Sequence, residues 1–264
     1  YQTSLAIMGQ QGGWPLTMFL DNNLIPFWGG TYFPKTRSRG MPSFLEVLRY
    51  VSEVYKNQND QVANNTSAIS KGVERVYQKK PSVNFSTNDV AKCLKTTNAA
   101  FDPISGGLKG APKFPMVPLL RSLFCVSVLG PYTESLGVLK NIKNTIDCIC
   151  LGGIYDHLEG GFSRYSTDEF WLVPHFEKML YDNAQIIELL SLVFTFFPSE
   201  LYKNRVEATY SWLSSNMLSL KNKHHGYFSA IDADSDGSEG EFYVWDYGEV
   251  VSVLGKDSKE FLQN

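Results

Sequence analysis

The feature that most constrains the fold is a series of helical segments separated by glycine-rich loops, which runs from about residue 81 to the end of the chain. Apolar residues recur along these segments at the spacing typical of helices packed on one side. The periodicity predicts helices at Thr87–Ala100, Val117–Leu129, Glu134–Leu151, His175–Phe197 and Lys203–Leu220. Helices joined by polar, glycine-rich loops indicate an all-α domain.

The loops of this domain alternate between short and elaborate. Gly130–Thr133 is short, whereas Asp102–Pro115 and the segments that begin at Gly152 and Asp232 are long and rich in glycine and aromatic residues. Elaborate loops at alternate connections would lie on one rim of an array of helical hairpins. Loops on one rim of a rigid scaffold commonly carry binding groups, so the sequence predicts a site there.

The amino-terminal part of the chain has a different pattern. Apolar runs at Leu16–Leu20 and Ile25–Pro34 flank a polar turn, which predicts a strand, a tight turn and a second strand. Ser43 then stands three residues before Glu46, the spacing of a capping box, and a helix or helix pair follows. The Lys79–Ser82 segment breaks the helical pattern and is predicted to be a linker between two domains.

The segment Gly152–Gln185 combines glycines, aromatic rings and ionisable groups in the way that small-molecule clefts do. The alternative is a long irregular loop that only covers the edge of a core. Pro174 is expected to open the helix that follows, which would put His175, Lys178, Asp182 and Gln185 on one polar face. We expect this face to line a cavity, although a solvated outer face would have the same spacing.

Composition narrows the classes of function. The 264 residues carry a net charge of only −3 and no run of basic residues, so nothing indicates a nucleic-acid partner. No apolar run is long enough to span a membrane, and we expect a soluble, cytoplasmic protein. Protein partners are not indicated.

Metal and thiol chemistry are not favoured either, and no cofactor is expected. Asp232, Asp234, Asp236 and Gly237 match the opening of a calcium loop, but Tyr243 stands where the final bidentate glutamate belongs. An acidic turn before a strand-like EFYVW segment is the favoured interpretation. The four cysteines lack metal-ligand spacing and are expected to be reduced.

Several motifs together resemble the spermatogenesis-associated protein 20 family. They are GGWPLTMFL with FWGGTYFP, then GGLKGAPKFP, then GGIYDHLEGGFSRYSTDEFWLVPHFEKMLYDNAQ, and finally DADSDGSEGEFYVW. The resemblance spans nearly the whole chain. It implies a thioredoxin-like α/β domain joined to an (α/α)6 barrel of the six-hairpin glycosidase type, and the chain is expected to be a fragment truncated at both ends.

On this resemblance the fold is mainly α, a partial (α/α)6 toroid preceded by the carboxyl-terminal part of a thioredoxin-like domain. Residues 1–80 would form the thioredoxin-like part and residues 81–264 the amino-terminal part of the barrel. The resemblance also implies that the Trp14–Pro15 peptide is cis. The thiol segment of such a domain would lie upstream of Tyr1, so redox chemistry is not assigned to these residues.

The resemblance and the residues together favour a carbohydrate-binding or carbohydrate-active protein that acts on a small molecule such as a sugar. Glycoside hydrolysis requires two carboxyl groups of different pKa, whereas an epimerase requires paired proton carriers. The alternatives are a redox or protein-folding factor whose barrel is a recognition module, and a non-catalytic interaction scaffold.

Candidate site residues follow from these requirements. The catalytic candidates are Asp156, Asp168, His175, Glu177, Asp182 and Asp232. The substrate-binding candidates are Tyr155, Arg164, Tyr165, Trp171, Lys178, Tyr181, Asn183, Asp234, Glu239 and Trp245. Arg164 is expected to pair with Asp168 or Glu169, since a charge within an aromatic cleft needs a partner. The His175 face, Asp156 and Asp232 are expected to share one cavity.

Overall fold

The computed structural model describes residues 1–38, 40–78, 86–219 and 225–261. The chain divides into two compact units, Tyr1–Phe85 and Ser86–Asn264. The predicted linker at Lys79–Ser82, and with it the predicted boundary at residue 80, lies outside the described residues.

The first unit combines a β-hairpin with helices. Its elements are α1 (Gln2–Ile7), β1 (Thr17–Leu20), β2 (Pro26–Gly30), α2 (Phe44–Asn57) and α3 (Asn59–Tyr77). The strands pair antiparallel, which confirms the predicted strand–turn–strand. The turn between them is held by the side chain of Asp21, whose carboxylate accepts the amides of Asn23 and Ile25 at 2.9 and 2.8 Å.

Local signals at the start of α2 and before β1 are confirmed. The Ser43 hydroxyl accepts the Glu46 amide, and the Glu46 carboxylate accepts the Ser43 amide, as a capping box requires. The Trp14–Pro15 peptide is cis. Between β2 and the two long helices, a core forms from Phe27, Val47, Val51, Val54 and Val62.

The second unit is built from helices in two layers. Its longer helices are α4 (Thr87–Ala100), α5 (Val117–Leu129), α6 (Ser135–Leu151), α7 (Leu180–Phe194) and α8 (Glu200–Trp212). Consecutive helices form the hairpins α5–α6 and α7–α8, while α5 packs beside α7, and α6 packs beside both α4 and α8. Alternate helices therefore form two layers, as in an arc of an (α/α)6 toroid, and the predicted mainly α class is confirmed.

The core of this unit lies between the layers. Leu120, Phe124, Ile142, Ile146 and Leu190 are each at most 2% exposed. Full burial of such a side chain contributes about 1.5–3 kcal/mol. Short helices α9 (Tyr247–Leu254) and α10 (Ser258–Phe261) follow at the carboxyl-terminal end. Within the described ranges, no helix is both long and apolar enough to cross a membrane.

The prediction that a helix begins at His175 is wrong. The residues from Pro174 to Met179 are extended, and α7 begins only at Leu180. Short strand β4 (Pro174–His175) pairs with β3 (Tyr165–Ser166), and β5 (Lys178–Met179) pairs with β8 (Ala230–Ile231). These pairings supply hydrogen bonds that a helix would otherwise make, and Pro174 is compatible with a strand edge as well as with a helix start. The predicted common helix face of His175, Lys178, Asp182 and Gln185 therefore does not form.

Other predicted elements also differ from the structure, and α7 ends at Phe194 rather than at Phe197. Helix α8 begins at Glu200 and passes at Leu213–Met217 into a π-helical turn; the predicted end at Leu220 lies outside the described residues. The EFYVW segment, Glu241–Trp245, is a turn rather than a strand. The remaining short strands are β6 (Leu218–Ser219), β7 (Gly226–Tyr227), β9 (Asp234–Ser235) and β10 (Ser238–Glu239).

Two elaborate loops of the second unit have the same internal geometry. In Asp102–Gly107 and in Asp156–Gly161, the aspartate amide donates to the carbonyl of the second glycine, at 2.8 and 2.9 Å. The amide of the first glycine donates back to the aspartate carbonyl, at 3.1 and 2.9 Å. Each aspartate carboxylate also accepts the amides two and three residues further along. The loops are therefore two copies of one structure.

A buried lysine closes each loop. Lys113 donates to the Asp102 carboxylate at 2.9 Å and to a carbonyl of its loop at 2.6 Å. Lys178 donates to the Asp156 carboxylate at 2.8 Å and to a carbonyl of its loop at 3.0 Å. Both lysine side chains are 1% exposed. We call the Lys178–Asp156 pair and its loop the lysine clasp. Removal of one partner from a buried ion pair of this kind lowers the free energy of unfolding by about 3–5 kcal/mol, because the other charge is left buried and unpaired.

A tryptophan ring packs directly on the second glycine of each loop. Gly107 has φ +67° and Gly161 has φ +83°, values that a side chain rarely tolerates. A Cβ atom at Gly107 would lie 2.7 Å from the Trp171 ring, and one at Gly161 would lie 2.6 Å from the Trp212 ring. Both the backbone conformation and the ring contact therefore require glycine at these two positions.

Substitution of Gly161 by alanine tests the ring contact. We expect Gly161→Ala to lower the free energy of unfolding by about 3 kcal/mol, because left-handed strain of roughly 1–2 kcal/mol adds to overpacking of a similar size. Gly237→Ala is the matched control, since Gly237 has φ +88° and a Cβ atom there would have no other atom within 4 Å. Urea denaturation of both variants measures the difference. Equal destabilisation would show that the ring contact contributes nothing.

Candidate functional site

The extended segment from Pro174 to Met179 determines which side chains meet. Because side chains alternate along an extended chain, His175 and Glu177 lie on one side and Phe176 and Lys178 on the other. The contacts agree: His175 stacks on Tyr165, whereas Phe176 stacks on Tyr243. The segment thus separates two groups of polar residues that the sequence places together.

On the first side, charged groups converge around Glu177. Arg164 Nη1 lies 3.0 Å from Glu177 Oε2. His175 Nε2 lies 3.8 Å from the same oxygen, while His175 Nδ1 lies 2.6 Å from Glu239 Oε1. Glu239 thereby fixes the imidazole ring with its other nitrogen directed toward Glu177. We call Arg164, His175, Glu177, Asp182 and Glu239 the acid–base cluster.

Asp182 is the least satisfied member of this cluster. It lies in the first turn of α7, and among the residues that the structure describes its buried Oδ2 atom has no hydrogen-bond partner. Burial raises the pKa of Asp182 to about 6, and the charge of Glu177 adds to this effect while Arg164 opposes it. A carboxyl group with a pKa of about 6 keeps a minor acid form near neutral pH and can therefore both donate and accept a proton.

Aromatic rings border the cluster. Tyr165 stacks on His175 with ring centroids 4.9 Å apart and an interplanar angle of 17°. Phe114 packs against Tyr165 at 4.6 Å, and Tyr181, which is 45% exposed, interacts with the Arg164 guanidinium. The cluster is therefore open to solvent on a side that carries flat apolar surface beside polar groups.

On the other side, the lysine clasp is closed. Lys178 Nζ lies 4.7 Å from the Trp212 ring centroid and 4.9 Å from that of Tyr243. Burial lowers the pKa of Lys178, an effect that the Asp156 carboxylate opposes. Burial acts to raise the pKa of Asp156, but hydrogen bonds from Lys178 and from two loop amides outweigh it and hold the pKa below its ordinary value. Asp156 and Lys178 thus have structural partners at every charged atom of the pair.

The predicted pairing of Arg164 with Asp168 or Glu169 is wrong, since Arg164 pairs with Glu177. The Asp168 carboxylate instead accepts the amides of the turn that follows it, at residues 170, 172 and 173. These hydrogen bonds outweigh the opposing effect of burial and lower the pKa of Asp168. Local amides stabilise the ionised form of this carboxylate because the chain turns back over it.

Three predicted ligand-binding residues have structural contacts. Trp171 is fully buried and donates from Nε1 to the Ser105 carbonyl at 2.8 Å. Asn183 is fully buried, and its side chain accepts from and donates to the backbone of Phe162. Tyr155 is buried under a guanidinium, with the Arg205 Cζ atom 4.0 Å from its ring centroid.

The acidic segment after Ala230 is divided between several environments. Asp232 lines a cavity of about 270 Å³, and Asp234 is exposed on β9. Trp245 lines a separate apolar pocket beside Leu158 and α9. Asp182 is not among the residues that line the cavity beside Asp232, contrary to the expectation of one shared cavity. Within the described ranges, no three His, Cys, Asp or Glu side chains converge as metal ligands would.

An internal repeat in the sequence distinguishes the residues that hold the backbone from those of the acid–base cluster. The DPISGG loop is followed by the buried Lys113, and the DHLEGG loop is followed by the buried Lys178. When Lys113 is aligned with Lys178, Pro112 stands at the position of Glu177. The third residue of the helix that follows is Leu119 in the first copy and Asp182 in the second. The aspartate, the two glycines and the buried lysine recur in both copies, whereas the acid–base residues occur in one copy alone. Glu177 and Asp182 are therefore not part of the shared scaffold.

The pH dependence of stability tests the state of Asp182. A carboxyl whose pKa is raised from 3.8 to about 6 contributes stability that is fully present below the unfolded value and is lost as pH rises through about 6. Asp182→Asn stays neutral, so we expect its Tm relative to the unmodified chain to increase between pH 4 and pH 7.5. The corresponding change in the free energy of unfolding is on the order of 1 kcal/mol after allowance for solvent screening. Thermal unfolding at both pH values measures it, and an equal displacement at both would contradict the assignment.

Comparison with known proteins adds a family and a set of relatives. Residues 1–74 match the family described as "Thioredox_DsbH: Protein of unknown function, DUF255", in agreement with the thioredoxin-like region inferred from the sequence. Two solved structures are similar in part. A cellobiose 2-epimerase from Spirochaeta thermophila DSM 6192 is 20% identical, with 55% of this chain and 40% of that chain covered and a TM-score of 0.43. A sugar epimerase from a ruminal bacterium is 16% identical, with coverage of 66% and 53% and a TM-score of 0.42.

Curated relatives match along almost the entire chain. Human spermatogenesis-associated protein 20 is 33% identical over 96% of this chain, and its mouse counterpart is 31% identical over the same share. Uncharacterized protein B0495.5 of Caenorhabditis elegans is 30% identical over 97% of the chain. The chain spans about a third of the length of these relatives, 33% of the mammalian proteins and 36% of the nematode protein. Over nearly its whole length, the chain is a homologue of spermatogenesis-associated protein 20.

Proposed function

We propose that the acid–base cluster transfers protons to and from a small carbohydrate. The observation that carries this proposal is Asp182, a half-buried carboxyl with an unpartnered oxygen and a pKa near 6, beside the ion-paired Glu177. Titratable groups whose environments push their pKa values apart are the usual basis of acid and base roles in an active site.

The contacts suggest a role for each member. Asp182 is the proton donor, since burial keeps its acid form populated near neutral pH. His175 is the second proton carrier, because Glu239 holds Nδ1 and leaves Nε2 directed into the cluster. Arg164 binds Glu177 and supplies positive charge for an oxygen that becomes negative during the reaction.

The class of ligand follows from the border of the cluster. Sugars place their apolar ring faces on aromatic side chains and donate hydroxyl hydrogens to carboxylates. Tyr165, Phe114 and Tyr181 supply the aromatic surface, and Glu177 and Glu239 supply acceptors. A small polyhydroxylated molecule therefore fits this chemistry better than an apolar or strongly anionic one.

Between the two sugar reactions considered from the sequence, the geometry favours proton transfer at a carbon next to a carbonyl. A retaining hydrolase needs a carboxylate that is free to attack or to stabilise a cation, whereas Glu177 is already bound to Arg164 at 3.0 Å. His175 and Asp182, which both lie near Glu177, instead supply two proton carriers, which is what epimerisation or isomerisation requires.

Deuterium exchange tests this activity whatever product the reaction yields. The full-length protein is incubated in D2O with a panel of reducing sugars, and NMR follows exchange at the carbon next to the carbonyl. We expect exchange with at least one sugar, and a loss of roughly 10²–10⁴-fold in Asp182→Asn and in His175→Gln. Glu207→Gln, which removes an exposed carboxylate of α8, is the control and should retain the rate.

Two outcomes would oppose the proposal. Exchange that persists in both variants would remove the cluster from the reaction. If no sugar exchanges and calorimetry detects no sugar binding, the interaction-scaffold or recognition-module alternative would replace the enzymatic one.

A further inference from the structure

A second cavity lies on the opposite side of the extended segment from the acid–base cluster. Its volume is about 270 Å³, which suits a molecule of monosaccharide size or smaller. The lining residues are Glu159, Trp212, Asn216, Ile231, Asp232, Ser235, Phe242 and Tyr243. The lining thus combines three aromatic residues with two acidic residues.

Two rings of this cavity already bind an ammonium group within the protein. Lys178 Nζ lies 4.7 Å from the Trp212 centroid and 4.9 Å from the Tyr243 centroid, within the range of cation–π attraction. The ring faces carry negative potential, and the structure shows that this pair stabilises a buried cation. The aromatic wall of the cavity is therefore electrostatically suited to positive charge.

The charged residues at the cavity also favour a positively charged ligand. The Lys178 charge is paired with Asp156 at 2.8 Å, and Glu159 also interacts electrostatically with this ammonium. Neither Glu159 nor Asp232 forms an ion pair with any residue in the described part of the chain. The cavity thus has an excess of negative charge, which attracts cations and repels phosphates and carboxylates.

We propose that this cavity binds the ammonium group of a small primary amine. The ammonium lies between the Glu159 and Asp232 carboxylates, where charge-assisted hydrogen bonds form, and the carbon skeleton packs on the aromatic rings. An amino sugar and a linear alkyl diamine both present this chemistry. The site is independent of the proposed sugar chemistry, since the two sites use different residues on opposite sides of the extended segment.

Calorimetric titration of the full-length protein with matched ligands tests the proposal. The probes are glucosamine, cadaverine and glucose, the last being the neutral counterpart of glucosamine. We expect at least one amine to bind at least tenfold more tightly than glucose. Binding of glucosamine alone would assign the site to amino sugars, and binding of cadaverine as well would show that the ammonium group suffices.

Variants locate the site. Glu159→Gln and Asp232→Asn keep the shape of exposed side chains, so folding is preserved, and each should weaken amine binding at least tenfold. Phe242→Leu should weaken it through the lost ring, since Phe242 is 63% exposed and its removal spares the core. Glu241→Gln is the matched control: it removes a neighbouring exposed carboxylate that does not line the cavity, and should leave the affinity unchanged.

Three results would overturn the proposal. They are equal binding of glucose and glucosamine, absence of amine binding, and an equal loss of affinity in Glu241→Gln, which would indicate a general effect of surface charge. Asp182→Asn should leave amine binding unchanged, so failure of the amine site and failure of the proposed sugar chemistry are distinguished by separate measurements.

Discussion

The structure of the second unit depends on the burial of the Lys178 ammonium. A buried charge must be matched, and Lys178 is matched by the Asp156 carboxylate, a loop carbonyl and two aromatic rings. This requirement connects the loop after α6 to the strand before α7. With Lys178 held on one side of that strand, His175 and Glu177 must lie on the other. The clasp therefore determines where the acid–base cluster forms, although it takes no part in the cluster.

The internal repeat allows an apolar residue in the first copy to be compared with a half-buried carboxyl group in the second. In the first copy the third residue of the helix after the loop is Leu119, which packs against the core, and in the second copy it is Asp182. In the second copy a carboxyl with an unpartnered oxygen stands there, and burial raises its pKa to about 6. Proteins retain such local conflicts mainly where function needs them. The contrast between two copies of one scaffold supports a functional role for Asp182 more directly than its burial alone.

Local sequence signals predicted the helices well. The bounds of α4 and α5 match the periodicity, and the capping box at Ser43 formed as expected, because these features depend on residues within a few positions of one another. The structure brings some of the predicted site residues together and separates the others. His175, Glu177, Asp182, Arg164 and Glu239 converge, whereas Asp156, Asp168, Trp171 and Asn183 hold the surrounding backbone. Both groups have the same composition, so residue type alone could not separate them.

The sequence by itself determined the helical hairpins, the glycine turns and the identity of the titratable residues, since periodicity and turn chemistry are local. Tertiary structure decided the conformation of Pro174–Met179. That segment has the apolar and polar spacing of a helix, but β8, which lies more than fifty residues downstream, supplies hydrogen bonds to Lys178 and Met179. Backbone groups near the core must find partners, and a partner from a distant segment is invisible to local pattern. The same pairing placed Lys178 inside and left Glu177 facing Arg164.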